Sequence, residues 1–133
     1  MKAFLIFPLI FAALNLVAQT EWSKSSNWKI YKVPGPAVFK IPIDSLRRTN
    51  SRPLQKDSLM SYLGTCTILP DSIHPLWMGG WVATYESSGK MHKIQISAYG
   101  GFFYDQSAAR YYQIPVALKD DWMTYIKQII SLL

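Results

Sequence analysis

The chain has 133 residues and half of them are hydrophobic, which is enough for one domain with a real core. Its 14 Lys and Arg outweigh 8 Asp and Glu, for a formal net charge of +6, a balance that favours anionic partners. Cys66 is the single cysteine, which excludes a disulfide within the chain. With only His74 and His92 beside it, and no closely spaced His or Cys pair, the chain has no local zinc motif.

The chain opens with Met1-Lys2, an apolar run from Ala3 to Leu16 interrupted by Pro8 and Asn15, and then Val17-Ala18-Gln19. A positive start, a short apolar middle and a small residue at the exit are the three parts of a secretory signal peptide. The run falls short of the about 20 residues that a membrane-crossing helix needs. Residues 1–18 therefore read as a cleaved leader, 19–27 as a flexible polar lead-in, and 28–133 as a single α+β domain. The expected location is secreted or periplasmic, with no transmembrane span after cleavage.

Trp28–Val33 and Ala37–Ile41 read as short strands separated by Pro34-Gly35-Pro36, where proline fixes φ and glycine frees it. Residues 42–56 lack a firm period and read as a basic surface loop, with a turn of helix near Ser45–Arg48. Asp57 suits a helix N-cap and Gly64 a left-handed stop, which predicts a short helix between them. Thr65–Leu69 is β-branched enough for a strand and carries Cys66 as a small buried hydrophobe.

The second half predicts four successive strands, Trp81–Glu86, Met91–Tyr99, Gly101–Asp105 and Arg110–Ile114. The breaks between them are short and rich in turn residues, so neighbours should pair antiparallel. His92, Ile94, Ile96 and Ala98 share one face of the longest strand; Lys93, Gln95, Ser97 and Tyr99 share the other, which is expected to be wet. A helix over about Leu118–Leu132 closes the chain. Asp120, Thr124, Lys127, Gln128 and Ser131 form its polar stripe, and Asp120-Asp121 suit the positive end of its dipole. The expected fold class is α+β, an antiparallel meander of about 4–6 strands packed by a C-terminal helix, with one short internal helix.

Positive charge is concentrated. Residues 24–56 hold Lys24, Lys29, Lys32, Lys40, Arg47, Arg48, Arg52 and Lys56 against Asp44 alone. Aromatic rings cluster around two glycine pairs and beyond, and alternation sends about half of them to the outer side of a sheet. Rigid exposed rings can stack on sugars or anchor a partner. The candidate partner-binding residues are accordingly Arg47, Arg48, Arg52, Trp77, Trp81, Tyr99, Phe102, Tyr104 and Tyr112. No Gly-x-Ser-x-Gly elbow, phosphate-binding loop or metal ligand set is present, so no catalytic residue and no cofactor is expected. The functional expectation is an exported, non-catalytic binding or inhibitory domain. Its partner would be an anionic glycan or acidic protein of the envelope or medium, and no nucleic acid is expected. Two rivals are a small hydrolase using Cys66 with a histidine, and a structural envelope component. If the leader is removed after Ala18, mass spectrometry of the exported chain finds Gln19 at the N-terminus; a chain starting at Met1 overturns that reading.

Overall fold

The computed structural model describes residues 22–31, 41–73, 75 and 80–133. The leader, the Pro34-Gly35-Pro36 turn, all but Ile41 of the predicted second strand, His74 and Trp77 lie outside the described residues.

The elements run in chain order as β1 (Ser26–Tyr31), α1 (Ile43–Leu46), β2 (Ser51–Pro53), α2 (Lys56–Leu63), β3 (Thr67–Ile68), β4 (Gly80–Ser87), β5 (Lys90–Ser97), β6 (Phe102–Asp105) and β7 (Arg110–Gln113). A single turn of 3₁₀ helix (Val116–Leu118) then leads into α3 (Lys119–Ile130). Among the described residues the strands form one seven-stranded sheet in the order β2-β1-β4-β5-β6-β7-β3, and every pairing is antiparallel. The fold is α+β, with the predicted meander β4–β7 at its centre and slightly more strands than expected. The two edge strands are short. β2 is a three-residue strand inside the segment expected to be loop, and β3 is the predicted Thr65–Leu69 strand reduced to two residues.

The meander forms where the turn chemistry lies. Ser87 faces Lys90 across a two-residue loop in which Ser88 and Gly89 both have positive φ, the conformation that matches the twist of a tight hairpin. Gly80 begins β4 at a point of close backbone approach. A Cβ there would stand 2.0 Å from the Ile96 carbonyl oxygen, and its φ of 142° disfavours any side chain.

One face of the sheet carries the main core. Trp28 and Ile30 from β1, Ala83 and Tyr85 from β4, Ile94 and Ile96 from β5, Phe103 from β6 and Tyr112 from β7 all point to it. Trp122 and Ile126 of α3, with Leu59 and Leu63 of α2, close it from the other side. The predicted polar stripe of α3 is exposed along its length. The predicted core contact between Ile94 and Ile96 and the C-terminal helix is present.

Four expectations need correction. The α2 N-cap is Gln55 rather than Asp57, which instead lies in the first turn, and Gly64 is right-handed at φ −66° because the chain simply continues the last turn of α2. Residues 22–27 are not merely a polar lead-in. Trp22 is 1% exposed in the core, set edge-on to Tyr112 at 4.9 Å, and Ser25 is buried with it. The second face of β5 is not wet: Lys93, Gln95 and Ser97 are all buried. The segment after Ile41 explains part of this. Leu46 and Ile41 pack on Tyr31 and Val82 in a small second core, and the Lys93 ammonium donates to the Ile41 carbonyl at 2.8 Å. The first strand extends the main sheet by pairing with β4.

Two of the three buried core indoles among the described residues, Trp22 and Trp122, differ in their hydrogen bonding. Trp22 Nε1 donates to Asp105 Oδ2 at 2.9 Å, whereas Trp122 Nε1 is buried without a hydrogen-bond partner. Replacing Trp22 by Phe strips a donor from a buried carboxylate, while the same change at Trp122 removes an unpaired N–H. Urea unfolding should show Trp22→Phe costing about 1–3 kcal/mol more than Trp122→Phe; equal losses would show that the Trp22–Asp105 bond contributes nothing.

Candidate functional site

Among the described residues, the face away from α3 carries polar side chains beside the small second core, and both of the grooves described below open on it. In β1, Trp28 and Ile30 fill the main core, so alternation sends Lys29 and Tyr31 to this second face. Register aligns Lys29 with Thr84 of β4 and Tyr31 with Ser51 of β2. Glu86 and Met91 face each other at the adjacent end of β4 and β5. α1 and the turn after it lie over this corner and bring Arg47 and Thr49 to the edge of β1.

The result is a groove of about 340 Å³ lined by Lys29, Tyr31, Arg47, Ser51, Glu86 and Met91. Thr49 completes the wall, its hydroxyl donating to the Ser45 carbonyl at 3.2 Å. Tyr31 and Thr84 share a hydrogen bond of 3.2 Å between their hydroxyls at the floor. The Asn27 amide donates to Glu86 Oε2 at 2.9 Å and fixes that carboxylate at the end of the groove. Lys29 and Arg47 are exposed, and among the described residues neither has a carboxylate within ion-pair distance, the ion pair there being Arg110–Asp71. The groove therefore presents two cations with no ion-pair partner among the described residues, beside the Thr49 and Ser51 hydroxyls and the Glu86 carboxylate.

The predicted site residues divide among several places. Arg47 lines the groove, and Arg48 is exposed next to it. Arg52 pairs with Ile30 and so points to the opposite, helix-bearing side, where its guanidinium donates to the Leu132 carbonyl at 3.2 Å. Trp81 is half-buried and packs on the main core. Tyr99 is 63% exposed in the β5–β6 connection. Phe102 and Tyr104 are half-buried on the second face. Tyr112 is a correction: it is 1% exposed, stacked on Phe103 at 5.2 Å, and cannot meet a partner. Its neighbour Tyr111 occupies the outer face instead, opposite Tyr104. Sequence reasoning missed Lys29, Tyr31, Thr49, Ser51, Glu86 and Met91 as a set. The signal for the first two was present in the alternation Trp28-Lys29-Ile30-Tyr31.

Among the described residues, the groups a hydrolytic centre would need are divided between the two faces of the sheet. Asp105 is buried on the main-core side, where it accepts hydrogen bonds from Trp22, Tyr85 and Ser107. Glu86 lies on the second face. His92 stacks on Tyr85 at 5.0 Å. Among the described residues no group of three His, Cys, Asp or Glu side chains is placed to hold a metal ion, and no helix is long and apolar enough to cross a membrane. No protein-family model, curated protein or solved structure matches the chain.

Cys66 is buried, and burial pushes its thiol up from 9.0 to about 12. A thiol in that state is neither a nucleophile nor a ligand at neutral pH. Between pH 9 and about 12 the unfolded chain has released this proton while the folded chain still holds it, so the thiol lowers stability as pH rises through that window. At pH 8 a disulfide-exchange reagent should modify the native chain at least ~100-fold more slowly than the urea-unfolded chain, and Cys66→Val should flatten the alkaline fall in stability. Rapid labelling of the native chain would return Cys66 to the list of reactive groups.

Proposed function

We propose that the chain is a non-catalytic binding domain acting outside the cytoplasm, and that it holds an acid-bearing sugar of an anionic glycan in the Lys29–Arg47 groove. The observation that carries this reading is the pairing of two unneutralised cations across a groove of about 340 Å³, near the lower end of the size of small-ligand sites. An anion there gains charge-assisted hydrogen bonds without displacing an internal carboxylate. The lining favours a sugar acid over an acidic peptide. Thr49 and Ser51 supply hydroxyls above the buried Tyr31, Glu86 supplies a fixed acceptor for ligand hydroxyls, and Met91 is the apolar aliphatic side chain among the described residues of the wall. The leader motif supports an extracytoplasmic setting.

The reading predicts salt-sensitive binding, because exposed cations are screened by added ions. Polygalacturonate and polyglutamate serve as probes of the two anionic classes. Polygalacturonate should bind the chain at low salt, weaken steeply as salt is raised, and weaken further, by at least about tenfold, in the Lys29→Ala/Arg47→Ala double variant. Arg52→Ala, on the other side of the sheet, should leave binding unchanged. Tighter binding to polyglutamate, or equal loss in the Arg52 variant, would refute the assignment.

A further inference from the structure

A second concavity lies on the same face at the other end of the sheet. Tyr104 of β6 and Tyr111 of β7 are directly opposite in register, and both point away from the main core. Their ring centroids are 4.7 Å apart with planes inclined at 47°. The Leu69 amide donates to the Tyr111 carbonyl at 2.8 Å, which draws the chain just after β3 alongside β7. Pro70 and Asp71 then stand beside the rings, and Asp71 accepts a charged hydrogen bond from Arg110. The groove between these groups measures about 310 Å³. Asp71 is 80% exposed and Arg110 34%, so their outer donor and acceptor positions are open to a ligand.

We propose that this groove is a second binding site, and that it takes a pyranose ring of an uncharged glycan. Its chemistry selects that occupant. The tyrosines and the Leu69-Pro70 edge offer apolar surface to the C–H face of a sugar, as aromatic rings do when rigid area is needed. Asp71 and Arg110 offer an acceptor and several donors side by side, the arrangement that engages neighbouring hydroxyls. A wholly apolar segment would cover the ion pair without giving it hydrogen bonds, which costs free energy, and a proline-rich one would offer carbonyl acceptors to Arg110 but no backbone N–H from its prolines to Asp71. An anionic sugar would meet Asp71. The one acid and one base leave the groove formally neutral, unlike the Lys29–Arg47 groove.

The two sites are separable. Lys29 on β1 and Tyr111 on β7 are four strand steps apart, about 19 Å at ~4.8 Å per step, and among the described residues the two grooves share no lining residue, although Met91 and Tyr104 bring them to neighbouring strands. Binding in the tyrosine groove should be insensitive to salt and to Arg47.

Titration calorimetry of the protein expressed from Met1 and purified as it accumulates, with maltotriose, cellotriose, chitotriose and mannotriose as probes, tests the site. At least one trisaccharide should bind saturably, at 50 mM and 500 mM salt alike. Tyr111→Ala should weaken it by about tenfold or more through loss of ring contact. Asp71→Asn changes an exposed side chain, so the fold should survive; it should weaken the same sugar severalfold with an unchanged urea midpoint. The Lys29→Ala/Arg47→Ala variant should bind that sugar normally, which separates this site from the anionic one. No binding by any of the four sugars up to about 10 mM would overturn the proposal. So would unchanged binding in both groove variants, or displacement of the bound sugar by hexaproline.

Discussion

A single buried carboxylate ties the domain together. Asp105 is 2% exposed at the last position of β6. It accepts from Trp22 Nε1 and from the Tyr85 hydroxyl, both at 2.9 Å, and from the backbone amide and hydroxyl of Ser107 at 3.0 and 2.7 Å. A carboxylate out of water is tolerable only with such a full set of donors. These donors come from three parts of the chain, so satisfying one acid docks the N-terminal segment, fixes β4 at Tyr85 and closes the β6–β7 turn. Its negative charge, after burial itself, helps hold the Tyr85 and Tyr112 phenols above their ordinary range, keeping both neutral in the core. The stack Trp28–Tyr85 and the cluster Trp22–Phe103–Tyr112 are built around this centre.

The sheet's two faces then do different work. The main-core face is apolar and closed by α2 and α3, so it offers nothing to a partner. The second face keeps polar side chains and is closed at one end by α1. Lys93 is the buried strut of that closure. Burial lowers its pKa, yet its ammonium is directed to the Ile41 carbonyl, and Leu46 and Ile41 cover Val82 beside it. These contacts set where Arg47 and Thr49 stand relative to Lys29, so the groove depends on a polar anchor beneath it.

Much of the fold was legible because its signals are local. The Ser88-Gly89 turn, the alternation along β5 and the polar stripe of α3 each act within a few residues. The pairing of β1 with β4 is not local: some fifty residues separate Ile30 from Ala83, and neither strand carries a mark of its partner. β2 was hidden because three residues ending in Pro53 hold no period. Trp22 was hidden because its burial follows from Asp105, far along the chain. The site was half legible for a related reason. Tyr111-Tyr112 is an adjacent pair that must split between faces, but which ring goes inward depends on register with β6, where Phe103 takes the core position. The same limit applies to Lys93 and Gln95, whose alternation indicated the second face correctly and whose burial depends on what later covers it.

The two grooves rest on foundations of different strength, and this bears on how each would respond to a ligand. The tyrosine groove stands mainly on the β6–β7 hairpin, which is clamped by Asp105 and backed by the Phe103–Tyr112 stack. Its side chains are held before any ligand arrives, and preorganisation of that kind favours affinity over adaptability. The Lys29–Arg47 groove has one wall on β1, whose Trp28 and Ile30 anchor it in the core, and the other on α1 and β2, short elements at the sheet's edge. Such segments open at lower free-energy cost than a central hairpin. A ligand bridging Lys29 and Arg47 would tie the weaker wall to the stronger, so part of its binding free energy would go into ordering residues 43–53. Affinity in that groove is therefore expected to be limited by the edge segment, while in the tyrosine groove it is limited by the contacts themselves.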